Sequence, residues 1–299
     1  MEQGHAVGQH GQESQESQFE VAEIMRGLYG DGIIACRAAF APALIAELRA
    51  DIDQLFAQAL AVEGGALNRG PNRYYVEVHP ERLRSFVAIA SHPWVRAVCS
   101  AVLGPEYRIV EVGFDVPGPG AMHQPWHRDF AAPPETVRGR RLSSLAFNIT
   151  TVDVTEDMGP FEIAPGTQWD LFEGDPMFPD QSLWPRYEAL AQRKLPKVGD
   201  ISARSALTIH RGTANRSSLS RPVLVLGADA PDATNAIKHD LQLSRAFYDS
   251  LPDALRRHLA CRVVEQLEPI RQAHTIEGLK TGVAMGGSMG GSMGGSMGG

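Results

Sequence analysis

Apolar residues recur at helical spacing near the start of the chain. Leu44, Ile45, Leu48, Ile52 and Leu55 lie on one face of a helix predicted over residues 42–61, and Pro42 sits in its first turn. The same reasoning predicts helices over residues 19–28, 80–90 and 93–103. Helical spacing returns only over residues 244–266. Helices are therefore expected at both ends of the folded region.

Between these helices the apolar residues alternate instead. Val110, Val112, Phe114 and Val116 occupy every second position, which predicts a strand buried on one face. Further strands are predicted over residues 32–37, 142–154, 161–164, 201–209 and 222–226. Turns and long loops join them, the longest over residues 170–197. The pattern indicates a mainly β fold, an antiparallel jelly roll with helices packed on its outside.

Composition narrows the function classes. The chain has 299 residues and a net charge of −7, which disfavours a non-specific nucleic-acid binder. It contains no apolar run long enough for a membrane span, and its polar start is unlike a secretory signal. Cys36, Cys99 and Cys261 form no zinc or disulfide pattern. We expect a cytoplasmic protein without nucleic-acid or membrane partners.

Low-complexity segments flank the predicted domain. Residues 1–17 are rich in Gln, Glu, Ser and Gly and are expected to be disordered. Residues 285–299 repeat Met-Gly-Gly-Ser and are expected to form a flexible tail. A single domain is predicted over residues 18–284.

A metal site is suggested by the segment Gln124-Pro-Trp-His127-Arg-Asp129. If this segment is extended, His127 and Asp129 point to the same face. His210, at the end of the alternating run 201–209, is the best candidate for a third ligand. Two histidines and one carboxylate on one face of an octahedron leave three positions open, the arrangement of non-haem Fe(II) oxygenases.

Arg221 begins the strand that follows His210. An arginine one strand along from a metal ligand can hold a dicarboxylate whose other end chelates the metal. The alternative for Arg221 is a solvated arginine at a strand end. Asn215 and Ser217 lie between these two residues.

These motifs, in this order, resemble the phytanoyl-CoA dioxygenase family of Fe(II)/2-oxoglutarate-dependent oxygenases. The resemblance extends over roughly residues 20–230. It includes Gln124 before the His127-x-Asp129 pair, the turn Pro165-Gly166-Thr167, and the spacing from His210 through Asn215 and Ser217 to Arg221.

The resemblance implies a double-stranded β-helix with His127, Asp129 and His210 as catalytic iron ligands. It implies Arg221 as the anchor of 2-oxoglutarate, with Ser217 assisting. The expected reaction consumes O2 and 2-oxoglutarate, releases succinate and CO2, and hydroxylates an unactivated C–H bond of a small-molecule metabolite. Asp129 favours oxygen transfer over the halogenation catalysed by relatives that lack this carboxylate.

Two positions are predicted to contact substrate, and two other functions stay open. Tyr75 lies in a polar, aromatic segment and Arg140 in a short basic run, either of which could cover the site. A cupin-type metal-dependent dioxygenase without a keto acid would not need Arg221. A non-catalytic jelly-roll binding protein would not need the metal ligands.

Overall fold

A computed structural model describes residues 19–131, 134–269 and 272. The α-helices are α1 (Val21–Gly30), α2 (Pro42–Leu60), α3 (Phe86–Ala90), α4 (Pro93–Leu103), α5 (Pro134–Arg138), α6 (Trp184–Leu190), α7 (Arg245–Ser250) and α8 (Asp253–Arg256). The strands are β1 (Ile33–Cys36), β2 (Leu67–Asn68), β3 (Arg73–Glu77), β4 (Arg108–Pro117), β5 (Ser144–Thr150), β6 (Phe161–Ile163), β7 (Gln192–Lys194), β8 (Ile201–Ser205), β9 (His210–Gly212), β10 (Val223–Asp229), β11 (Gln242–Ser244) and β12 (Arg262–Val264).

Seven strands form a large antiparallel sheet in the order β1-β8-β5-β10-β4-β3-β2. Each inner strand alternates between two environments, as strand geometry requires. On β4, Val112 and Phe114 are buried in the hydrophobic core, whereas Glu111 and Asp115 line a cavity on the opposite face. Strands β5, β8 and β10 divide their side chains in the same way. One face of the sheet therefore packs against helices and the other is free for chemistry.

The helices at the start of the chain cover the core face. In α2 the predicted positions Ile45, Leu48 and Ile52 are fully buried. In α4, Pro93 occupies the first turn, and the Nδ1 atom of His92 caps the helix by accepting a hydrogen bond from the Trp94 amide at 3.2 Å. These helices and the large sheet share one hydrophobic core.

A smaller antiparallel sheet, β7-β6-β9, faces the cavity from the other side. An isolated bridge between His127 and His210 extends this sheet beyond β9. The mainly β fold with flanking helices, a jelly-roll core of two antiparallel sheets, confirms the predicted fold class.

Several predicted elements differ in detail. The helix predicted over residues 80–90 is a 3₁₀ turn over Pro80–Arg82 followed by α3, and the loop predicted over residues 170–197 contains α6 and β7. The alternating run over residues 201–209 is one strand only as far as Ser205, where a turn begins, with the Leu207 amide donating to Ser205 Oγ at 3.2 Å. His210 then starts a strand in the other sheet. The helix predicted over residues 244–266 is broken at Pro252, whose ring cannot continue a helix, and ends in a strand.

Within the described part of the chain, no helix is long and apolar enough to cross a membrane. The segments predicted to be disordered or flexible, residues 1–17 and 285–299, lie outside the described residues.

Candidate metal centre

The three predicted ligands meet where the two sheets approach each other. The His127 amide donates to the His210 carbonyl at 3.0 Å, and the His210 amide donates to the His127 carbonyl at 2.9 Å. The Asp129 amide is held by the Ala206 carbonyl at 2.9 Å. Backbone pairing between distant segments thus brings together side chains that are far apart in sequence.

Both imidazoles are oriented by the backbone. Nδ1 of His127 lies 2.8 Å from the Pro125 carbonyl, and Nδ1 of His210 lies 2.8 Å from the Thr208 carbonyl. A carbonyl can only accept, so each Nδ1 carries the proton and each Nε2 presents its lone pair. Burial lowers the pKa of both histidines, well below the usual value at His127. Neutral imidazole is the form that binds metals.

The carboxylate of Asp129 completes the group. Its Oδ1 lies 3.3 Å from His210 Nε2, and its Oδ2 accepts a hydrogen bond from Arg204 Nη1. Burial by itself would raise the pKa of Asp129, but the Arg204 guanidinium outweighs burial and holds that pKa well below the usual range. The carboxylate is therefore ionised at neutral pH.

The donor set fits a metal of the iron type. One donor atom from each of the three residues lies within 4.8 Å of the others. Two imidazole nitrogens and one carboxylate oxygen are the ligands of the facial arrangement used by non-haem Fe(II) enzymes. The rings of Phe161 and Phe178 lie 5.2 Å from His210 and 6.0 Å from His127, between ring centroids, and shield the group with apolar surface.

A cavity of about 1080 Å³, its open mouth included, runs from this group between the two sheets. Its lining mixes apolar and polar side chains, because the inward positions of β3, β4, β5 and β8 carry polar residues. Those with charges or amides include Arg73, Glu111, Asp115, Asn148 and Arg204.

Arg221 lines the same cavity at a distance from the three ligands. Its side chain is buried. Among the described residues this side chain makes one hydrogen bond, in which Nε donates to the Met158 carbonyl at 3.3 Å. Burial and the neighbouring Arg73 guanidinium lower the pKa of Arg221 to about 10, against the opposing effect of Asp115. Arg221 is therefore a buried cation with donors left over for an anion.

The predicted helper, Ser217, lies in the loop before Arg221 and does not line the cavity. Its Oγ donates to Asn215 Oδ1 at 2.7 Å, and the Asn215 amide group in turn donates to the carbonyls of Pro117 and Leu219 at 3.0 and 2.7 Å. Asn215 is fully buried. The two side chains fix the loop that delivers Arg221, so any contribution of Ser217 is to the position of that arginine.

The two positions predicted to contact substrate have different surroundings. Tyr75 lines the cavity with its ring buried, and its hydroxyl donates to Glu111 Oε1. Arg140 is exposed after α5 and does not belong to the lining of the cavity. The structure thus brings Tyr75, but not Arg140, together with the candidate ligands.

Comparison with known proteins identifies the family of the chain. The model of the family described as Phytanoyl-CoA dioxygenase (PhyH) matches residues 28–223, which include the three candidate ligands and Arg221. The chain belongs to this family. It is accordingly an Fe(II)/2-oxoglutarate-dependent oxygenase, an enzyme class that uses Fe(II), 2-oxoglutarate and O2. No curated protein sequence matches the chain.

Solved structures share the fold of this family member. The non-heme alpha ketoglutarate dependent carbocyclase SnoK from nogalamycin biosynthesis aligns with a TM-score of 0.60 at 19% identity, covering 73% of this chain and 87% of SnoK. AviO1 from Streptomyces viridochromogenes Tue57 aligns at 0.55 and 19%, covering 72% and 97%. The corresponding epimerase SnoN aligns at 0.55 and 17%, covering 70% and 80%.

Sequence reasoning missed several charged residues of the cavity, among them Arg73, Glu111 and Arg204. Glu111 and Arg204 carry a signal in the sequence. On β4 and β8 the apolar residues define the core face, so Glu111 and Arg204 necessarily occupy the opposite face. Arg73 has no such pattern beside it, and its place depends on the pairing of β3 with β4.

Proposed function

We propose that this enzyme binds Fe(II) through His127, Asp129 and His210 and anchors the distal carboxylate of 2-oxoglutarate on Arg221. We further propose that it hydroxylates an unactivated C–H bond of a small-molecule metabolite, with release of succinate and CO2. One observation carries the proposal. The three ligand atoms and a buried arginine with unused donors line the same cavity, which is otherwise enclosed by the two sheets.

Bound Fe(II), with 2-oxoglutarate and O2, would supply an oxidant able to attack a C–H bond. The residues of the chain have other tasks. His127 and His210 present Nε2 because their Nδ1 protons are committed to carbonyls. Arg221 orients the keto acid by a charge-assisted grip at its far end. Phe161 and Phe178 limit the access of water to the ligand group.

The substrate is proposed to be a small polar molecule. The cavity is open at one end and carries both signs of charge near the candidate ligands, with Arg204 on β8 and Glu111 on β4. In the sheet, Arg204 pairs with Ala146, and Gly227 lies between Ala146 and Glu111. The Glu111 side chain lies over Gly227, where a methyl group would come within 2.9 Å of Glu111 Oε2, and the cavity between the two charged groups offers a substrate a partner of either sign.

The neighbours named as a carbocyclase and an epimerase show that reactions other than hydroxylation occur on this fold. Product mass separates the outcomes. The protein, loaded with Fe(II) and 2-oxoglutarate, is incubated with pools of small metabolites under 18O2, with Asp129→Ala as the control. Hydroxylation is expected to give a product that has gained one 18O atom, together with succinate. A product that has lost two hydrogens, or one of unchanged mass, would contradict hydroxylation.

A further inference from the structure

Arg204 contacts the candidate metal ligand Asp129 from the interior of the large sheet. It extends from β8 toward the smaller sheet, and its side chain is only 7% exposed. Its Nη1 donates to Asp129 Oδ2, and its guanidinium lies 5.5 Å from the centre of the Phe161 ring. A buried arginine beside a candidate metal ligand places positive charge next to a site for a cation. Because this charge opposes cation binding, its presence indicates that Arg204 serves to position Asp129.

The contact gives the two oxygens of the carboxylate different partners. Oδ2 is occupied by Arg204, whereas Oδ1 lies 3.3 Å from His210 Nε2, among the metal-binding atoms. A carboxylate free to rotate can offer a metal either one oxygen or both. With Oδ2 held by the guanidinium, Oδ1 is the oxygen that faces the metal-binding atoms.

The side chain of Arg204 is tied to the candidate ligand. Its Nε is buried without a hydrogen-bond partner among the described residues, so the bond from Nη1 to Asp129 Oδ2 is the side-chain hydrogen bond that orients it. The guanidinium also lies near the Phe161 ring of the smaller sheet. Arg204 and the carboxylate of Asp129 are therefore positioned together.

The number of oxygens given by Asp129 decides how many positions stay open. Six octahedral positions less two imidazoles and one oxygen leave three, two for a chelating keto acid and one for O2. If both oxygens bound, only two would stay open. A chelating keto acid and O2 could not then bind together.

We propose that Arg204 is a positioning residue that restricts Asp129 to one-oxygen coordination and so keeps the third position open. This inference rests on the proposed function. It concerns a residue for which the sequence motifs gave no role.

Arg204→Met separates this role from a general loss of structure. It keeps an unbranched, buried side chain but frees Asp129 Oδ2. Arg204→Lys restores a charged donor. Arg37→Met is the control for the loss of an arginine–aspartate pair at this sheet, because the exposed Arg37 pairs with Asp200, just before β8, and does not line the cavity. Fe(II) affinity is measured anaerobically against a chelator, and 2-oxoglutarate affinity is measured on the iron-loaded protein.

The expected result is a split between the two affinities. Arg204→Met should bind Fe(II) at least as tightly as the parent, since a second oxygen becomes available, and should bind 2-oxoglutarate at least about tenfold more weakly. Arg204→Lys should recover most of the 2-oxoglutarate affinity, and Arg37→Met should match the parent. In crystals loaded with Mn(II) alone, Asp129 should bind through one oxygen in the parent and through two in Arg204→Met.

Several results would overturn the inference. One is an unchanged 2-oxoglutarate affinity in Arg204→Met, and another is one-oxygen coordination in both crystals. A loss of Fe(II) affinity parallel to that of 2-oxoglutarate would likewise show that Arg204 acts only on folding. Failure of the parent protein itself to bind Fe(II) would instead refute the proposed function, and the inference with it.

Discussion

Arg73 pairs with Asp115 inside the cavity that Arg221 also lines. Arg73 is fully buried and donates from Nη1 to Asp115 Oδ2 at 3.0 Å, and the charge of Asp115 also acts on Arg221. Two guanidinium groups and one carboxylate leave one local positive charge unbalanced. Burying such a charge is costly without a partner. A bound dicarboxylate would supply that partner.

Removing Arg221 tests this charge balance. We expect Arg221→Met to weaken 2-oxoglutarate binding to the iron-loaded protein by about 30-fold or more, the usual cost of losing one partner of a buried charge pair. Fe(II) affinity should stay within about threefold of the parent, because Arg221 does not contact the three ligands. Calorimetric titration checks both values. A parallel loss of both affinities would contradict the assignment of separate roles.

Gly212 limits how Arg73 is placed. A methyl group at this position would lie 2.5 Å from Arg73 Nη1 and 2.7 Å from Gln124 Oε1. Gly212→Ala is therefore expected to displace Arg73 and to lower the free energy of unfolding by about 1–3 kcal/mol. It should also weaken 2-oxoglutarate binding. Gly30→Ala, where a methyl group would meet nothing within 4 Å and the backbone is not left-handed, is the control, since both substitutions add one methyl group. An unchanged free energy of unfolding and unchanged 2-oxoglutarate binding in Gly212→Ala would contradict this packing.

Tyr75→Phe removes one hydrogen bond and keeps the ring. The hydroxyl that donates to Glu111 is lost, while the stacking of the Arg69 guanidinium, 4.2 Å from the ring centre, is retained. We expect unchanged Fe(II) and 2-oxoglutarate binding but more succinate formed per product, because Glu111 loses its fixed orientation beside the substrate space. Arg140→Ala tests the second predicted position. An effect there as large as at Tyr75 would place the substrate against the loop after α5.

His239 predicts a pH dependence of stability. Burial by itself would lower its pKa, but the hydrogen bond to Glu77 Oε2, at 2.9 Å, and nearby carboxylates raise it above the usual value. A raised folded-state pKa stabilises the protein fully below the unfolded pKa of about 6.5, and the stabilisation is lost as pH rises through the folded value.

The variant His239→Gln tests whether protonation of His239 makes the free energy of unfolding depend on pH. The parent should exceed the variant in free energy of unfolding by about 1–3 kcal/mol below pH 6, and the gap should narrow at higher pH. Chemical denaturation across that range measures it. A gap that widens with pH would show that His239 is neutral in the folded protein.

The sequence indicated the ligands because their signals are local. His127 and Asp129 lie two residues apart, and Arg221 follows His210 at a spacing typical of the family. The same local reasoning placed the core faces of β4 and β8 correctly. It misplaced the end of the 201–209 strand, because the turn at Ser205 depends on contacts with the N-terminal segment, including the Ser205 amide donating to the Gly32 carbonyl at 2.9 Å.

The polar partners of the site were beyond sequence reasoning for a different reason. Arg204 reaches Asp129 because the segment after His127 is hydrogen-bonded to the residues that follow β8, with the Asp129 amide donating to the Ala206 carbonyl at 2.9 Å. Arg73 meets Asp115 through the pairing of β3 with β4. Such contacts depend on which strands become neighbours, and the alternation of apolar residues specifies the face of a strand but not its neighbours.

We propose that one cavity holds both iron and 2-oxoglutarate. The most direct measurement is the visible charge-transfer absorption of the protein mixed anaerobically with Fe(II) and 2-oxoglutarate. We expect a band in the parent and its loss in His210→Ala. Arg221→Met should show the band only at much higher 2-oxoglutarate concentration. A folded parent that binds Fe(II) but shows no band at saturating 2-oxoglutarate would contradict it.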